Sequence, residues 1–191
     1  MSGRQVADAA GASPERVRQV LNRLAEVGLV SLRRRGTSVY YAANRDHLLW
    51  PAVQHLVVTA DQVVHLLKQR LAAAVDNLIA EGDEAARISL ALFGSVARGD
   101  ARPDSDIDIL LITPDELPPG DVEALVATIV DTATTATGNA CAVYAATRSR
   151  IDELVAERDP MIPAWTSDAA TFHGPDVRRR LLGAPWDAPV A

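Results

Sequence analysis

The chain has 191 residues, 48% of them hydrophobic, and a formal net charge of −6, enough to bury one large core or two small ones. It contains no run of about 18 apolar residues, Met1-Ser2-Gly3-Arg4 lacks the apolar stretch of a signal peptide, and the single Cys141 has no partner for an intrachain disulfide, so a soluble, cytoplasmic protein is expected. The charge is uneven: residues 1–50 hold eight arginines against four acids, a local +4 that leaves −10 to the remainder, the asymmetry of a basic nucleic-acid-binding module joined to an acidic domain.

Gly3 to Ala10 predicts a short helix with Val6, Ala9 and Ala10 inward. Gly11-Ala12-Ser13 is a turn, and Ser13-Pro14-Glu15 is a helix start: a capping hydroxyl, proline at the first helical position and an acid in the first turn. In the helix that follows, Val17, Val20, Leu21, Leu24 and Val27 recur at helical spacing, leaving Arg16, Arg18, Gln19, Asn22 and Arg23 outward, and Gly28 ends it. Leu29 to Leu32, a turn over Arg33-Arg34-Arg35-Gly36-Thr37, and Ser38 to Ala42 predict a hairpin.

This arrangement over about residues 3–46 resembles the winged helix-turn-helix of MarR- and ArsR-type regulators. The resemblance implies that Arg16, Arg18, Gln19, Asn22 and Arg23 face a DNA groove and that Arg33, Arg34 and Arg35 touch phosphates or the minor groove. It departs from the pattern in one respect: the usual first helix would precede Gly3.

From Asp46 to Glu81, Leu56, Val63, Leu66, Leu67, Leu71, Val75 and Leu78 recur at helical intervals after Pro51, predicting one long helix or two consecutive ones to Ala80. That segment either pairs with its copy in a homodimer or packs on the following domain's sheet. His47, His55, His65 and His173 lack metal-ligand spacing, and Trp50, Trp165 and Trp186 are expected to pack.

Ile88 to Phe93 is an apolar, strand-like run ending at Gly94. Gly94-Ser95 makes a tight turn, with Ser95 expected to cap a short helix whose free N–H groups suit an anion such as a triphosphate. Downstream, Asp106, Asp108 and Leu110 share one face of a strand while Ile107, Ile109 and Leu111 share the other. Two carboxylates side by side repel, and a hard cation with oxygen ligands, Mg²⁺ held also by substrate phosphates, compensates them.

Gly94-Ser95, ten residues and Asp106-x-Asp108, with Arg98, Gly99 and Ser105 between, resemble the minimal branch of the polymerase-β-like nucleotidyltransferases. The resemblance implies an α+β fold with a small mixed sheet, phosphate binding by Gly94 and Ser95, further nucleotide contacts from Arg98, Gly99 and Ser105, and Mg²⁺ at Asp106 and Asp108, which also act as the catalytic pair. Active members of that family carry a third carboxylate on the strand after the next helix. Here the helix is expected over Asp121 to Thr137 and the strand, residues 139–147, holds no acid, which implies weakened, altered or lost catalysis.

Helices over Arg148–Arg158 and Pro160–Asp168, an extended Thr171–Gly174, a helix over Asp176–Leu182 and a loose tail complete the reading. The expected domains are 1–46, a linker 47–82, a nucleotidyltransferase domain 83–183 and a tail 184–191. Two functions follow from the resemblances. One is an enzyme moving a nucleoside monophosphate from a nucleoside triphosphate to a hydroxyl. The other is a DNA-binding regulator or antitoxin with a weak or inactive transferase domain, whose toxin would be a separate chain because no Arg-x-x-x-x-His ribonuclease signature is present.

Overall fold

The computed structural model describes residues 1–36, 38–79, 84–102 and 104–186. Thr37 in the hairpin turn, the helix end at Ala80, the expected 82/83 boundary and most of the 184–191 tail lie outside the described residues. The chain forms two compact units, Met1–Gln62 and Val63–Ala191.

The N-terminal unit runs α1 (Gly3–Ala9), α2 (Pro14–Glu26), β1 (Val30–Arg35), β2 (Ser38–Ala43) and α3 (Trp50–Asp61). Both short helices are capped locally. Ser2 and Gln5 form a reciprocal capping box at α1, and Ser13 accepts from the Arg16 N–H ahead of Pro14 at α2. The two strands pair antiparallel, Leu32 opposite Tyr41 and Arg35 opposite Ser38.

Packing in this unit is thin. Among its described residues only Ala7, Val17 and Tyr41 are buried. The face of α1 that turns inward is centred on Ala7, with Gly3 close to the Tyr41 ring, and Ala9 and Ala10, expected inward, are exposed. On α2 the inward stripe runs through Val17, Leu21 and Leu24, whereas Val20 and Val27, also expected inward, are 51% and 60% exposed. Among the described residues α1 and β1 supply most of the cover over α2, so its buried stripe is narrower than its apolar one. The segment over 47–82 is divided between the units: α3 has no buried residue, while α4 (Val63–Leu78) turns Leu67, Leu71 and Val75 into the core of the C-terminal unit.

That C-terminal unit continues with α5 (Glu84–Arg87), β3 (Ser89–Phe93), α6 (Gly94–Arg98), β4 (Ile107–Thr113), α7 (Pro119–Thr137), β5 (Cys141–Thr147), α8 (Arg148–Glu157), α9 (Met161–Asp168), β6 (Ala170–His173) and α10 (Val177–Leu181). Its sheet is mixed, ordered β5-β4-β3-β6, with β4 and β5 parallel and the other pairs antiparallel. The helix α7 makes the crossover that a parallel pair requires.

Alternation along β3 and β4 divides the core in two. Leu90, Leu92, Ile107, Ile109 and Leu111 meet α4 and α7 on one face. Ala91, Leu110 and Ile112 meet α8, α9 and α10 on the other, around Trp165. Strands covered on both faces are apolar on both, and each fully buried Leu or Ile contributes about 2 kcal/mol. The piece expected only as extended chain, Thr171–Gly174, is in fact an edge strand of the sheet. Gly174 is required there: its φ is +66° and a Cβ would collide with the Ile88 carbonyl. No helix among the described residues is long and apolar enough to cross a membrane.

Candidate functional site

At the end of β3 the chain turns through Gly94, at φ +69°, directly into α6. A side chain at this position would meet the Asp108 carboxylate, whose Cγ lies 3.3 Å from where a Cβ would stand. Glycine therefore lets the strand end and the carboxylate occupy adjoining space. Asp108 sits opposite Phe93 in the β3–β4 ladder, and Asp106, one residue before β4, is exposed on the same face by alternation. Asp108 is half-buried. Burial, and then the neighbouring Asp106 charge, raise its pKa, against an opposing pull from the Arg98 charge.

The short helix α6 starts one residue earlier than expected, and Ser95 is not its cap. Phe93 takes the N-cap position and brings no side-chain hydrogen bond, because the left-handed turn at Gly94 joins strand to helix without an intervening polar residue. The first-turn N–H groups are thus free of side-chain partners. Gly99 ends the helix at φ +77°. Ser105 holds the loop before the carboxylates: its Oγ accepts from the Arg102 N–H at 2.8 Å, and its carbonyl accepts from Asn139 Nδ2 at 3.0 Å.

Arg98, a sequence-predicted nucleotide contact, is engaged by two carboxylates. Its Nε donates to Asp100 Oδ2 at 3.3 Å and its Nη1 to Asp168 Oδ2 at 2.5 Å. The guanidinium holds the Asp168 carboxyl below the usual carboxylate range, with a smaller contribution from Ser167. Nothing in the sequence marks Asp168, 70 residues away in the chain, as a neighbour of Arg98.

On β5, the residue beside Asp108 is Ala142, and the next on that face, Tyr144, packs edge-on against Trp165 at 4.8 Å. No carboxylate projects from this strand. Among the described residues no group of three or more His, Cys, Asp or Glu is arranged to hold a metal ion. Cys141 lies on the opposite face against the α4–α7 core, and burial, then the Asp108 charge, push its thiol up to about 11, so it stays protonated.

In the N-terminal unit, Arg16, Arg18, Gln19, Asn22 and Arg23 are exposed on α2. Arg18 pairs with Glu15 at 2.9 Å, Gln19 donates to the same carboxylate at 3.4 Å, and Asn22 Oδ1 accepts from the Tyr41 hydroxyl at 3.2 Å. Arg33, Arg34 and Arg35, expected in the turn, belong to β1 instead. They alternate: Arg34 shares the face of Leu32 and Tyr41, and Arg33 and Arg35 point the other way with Ser31 and Tyr40. The ladder runs to Ser38, so the strand continues through the arginines.

Residues 77–143 match the family model of the nucleotidyltransferase domain, an interval that begins near the end of α4 and reaches the middle of β5. A solved crystal structure of a toxin-antitoxin with AMP-PNP is similar to this chain with a TM-score of 0.36 and 15% identity, over 58% of this chain and 83% of that one. Comparison with curated proteins gave no match.

Proposed function

We propose that this chain is a nucleotidyltransferase that moves a nucleoside monophosphate from a nucleoside triphosphate to a hydroxyl acceptor. The observation that carries the reading is the Asp106–Asp108 pair set against the Gly94 turn, within the interval matching the nucleotidyltransferase domain.

The donor set suits Mg²⁺: two carboxylates with like charge, one half-buried and proton-hungry, offer hard oxygen ligands and leave remaining positions to phosphate oxygens and water. Bound there, Mg²⁺ would supply charge neutralisation on the phosphates and acidify the attacking hydroxyl. The uncapped N–H groups of α6 orient the phosphate chain, Ser105 and Asn139 fix the loop that delivers Asp106, and Arg98 adds positive charge beside Asp108. The acceptor oxygen bonds to the α-phosphorus as the bond to pyrophosphate breaks, and the hydroxyl proton passes to water, since β5 offers Ala142 where a carboxylate would stand.

The N-terminal unit, in this reading, is a winged helix-turn-helix of MarR or ArsR type that binds duplex DNA through Arg16, Arg18, Gln19, Arg23 and the arginines of β1. The exposed arginine-rich hairpin and the capped α2 support it. Ala142 favours a second reading of the whole, a DNA-binding regulator or antitoxin with weak or absent catalysis and a separate toxin partner.

Incubation with radiolabelled nucleoside triphosphates, Mg²⁺ and host lysate separates the two readings. A labelled product that disappears in Asp106→Asn supports the enzyme. Absence of label, with DNA from the gene's own upstream region held more tightly than random duplex in an anisotropy titration, supports the regulator.

A further inference from the structure

The Arg98 guanidinium stands at the meeting of three segments. It leaves the last turn of α6, and its Nε and Nη1 edges are taken by Asp100 and Asp168. Nη2, with two further donors, has no protein partner among the described residues. Its charge acts on Asp108.

Asp168 is rigidly placed with respect to the turn at Gly94. It is the last residue of α9, is followed by the buried Ala169, and leads into β6, where Ala170 is the register partner of Leu92. The β3–β6 ladder ends at the Leu92–Ala170 pair, and α9, which Asp168 closes, packs against β3 and α6. The acid that grips Arg98 is thus anchored to the strand whose end forms the candidate phosphate turn.

An arginine held at Nε and Nη1 presents Nη2 in a fixed direction, whereas a free one loses rotamer entropy on binding. We propose that Asp168 is a positioning residue of the candidate nucleotide site, acting through Arg98, whose free Nη2 edge it aims at the triphosphate. Asp168 thereby gives this site an acidic residue from α9 that orients a cation, in a chain whose β5 has none to offer. The inference rests on the nucleotide-binding reading above.

A double-mutant cycle tests it, read by calorimetric titration of the full chain with ATP and Mg²⁺, with a thermal melt of every variant. Arg98→Gln is expected to weaken affinity about tenfold, Asp168→Asn about fivefold, and the double variant no more than Arg98→Gln alone, since coupled residues are non-additive. Asp168→Glu should recover part of the loss. A merely structural Asp168 would lower the melting temperature without this non-additivity. Losses that multiply, or an Asp168→Asn affinity equal to wild type, overturn the proposal. Should Asp168→Asn melt below the assay temperature, Arg98→Lys decides: affinity near Arg98→Gln supports an aimed fork, and affinity near wild type overturns it, because lysine keeps the charge without the fork. Wild-type protein that binds none of the four common nucleoside triphosphates would sink the nucleotide reading and this inference together, whereas multiplying losses sink the inference alone.

Discussion

The two compact units bury their apolar residues differently. In the C-terminal unit β4 alone contributes Ile107, Ile109, Leu110, Leu111 and Ile112 to two opposed cores, because helices cover both faces of its sheet. The N-terminal unit buries Ala7, Val17 and Tyr41 among its described residues and leaves Val20, Val27, Leu56, Val57 and Val58 exposed. Strong local signals, a capping box and a Ser-Pro helix start, hold the N-terminal elements together, while the C-terminal ones are held by burial. A hydrogen-bonded cap contributes about 1 kcal/mol, so good local grammar does not substitute for a core.

The largest effects should expose that contrast. Ile109→Ala, in a fully buried position, is expected to cost about 3 to 4 kcal/mol of stability, and Val17→Ala only about 1 kcal/mol, as measured by urea denaturation of each variant. Equal costs would contradict the difference between the two cores.

Gly94→Ala comes next. The left-handed backbone alone costs about 1 to 2 kcal/mol, and the methyl group must displace the Asp108 carboxylate. Titration with ATP and Mg²⁺ should show a larger fractional loss than the melt does. A variant that melts lower but binds as wild type would separate the glycine from the site.

A smaller effect reads the charge at Asp108 directly. Its pKa is raised in the folded protein, so protonation favours the fold: the stability it gives is full below the ordinary carboxylate pKa and is lost as pH rises through the folded value. In metal-free protein, Asp108→Asn should therefore melt above wild type at pH 7, with the gap closing as the pH falls toward the ordinary carboxylate range. A gap that grows on acidification would reverse the assigned sign.

The smallest expected effects belong to the basic hairpin. With Arg33 and Arg35 on one face and Arg34 on the other, neutralising the pair should lower the salt dependence of DNA binding by up to about two phosphate equivalents, and Arg34→Gln should leave it nearly unchanged. Equal changes per arginine, in anisotropy titrations over a salt series, would mean that the strand does not dictate which of them contact phosphate. On α2, Gln19→Ala should alter sequence preference more than Asn22→Ala, whose carbonyl oxygen is already taken by Tyr41.

Much of the element order was legible because its causes are local. The Ser13-Pro14 start, the apolar run into Gly94 and the period-two alternation around Asp108 each depend on a few neighbouring residues. The apolar stripe of α2 is wider than its buried one, since periodicity reports which side of a helix is apolar and not how much of it a neighbour covers. Charge and a following glycine give the arginines of β1 the composition of a loop, and cross-strand pairing overrides that preference. The absence of an acid on β5 was equally plain in the residues; only the β4–β5 register identified Ala142 as the position that faces Asp108.

The sequence by itself determined that two carboxylates share a strand face beyond a Gly-Ser turn, because side-chain alternation is a property of any strand, and that a basic N-terminal segment precedes an acidic remainder, because charge is a matter of counting. Only the tertiary structure decided that β6 is a sheet edge running back along β3, that the left-handed turn at Gly94 stands against the Asp108 carboxylate, and that Arg98 answers to an acid 70 residues away. Those three facts depend on which strands pair and where helices end, and long-range pairing is set by the burial of whole faces, not by any local residue pattern.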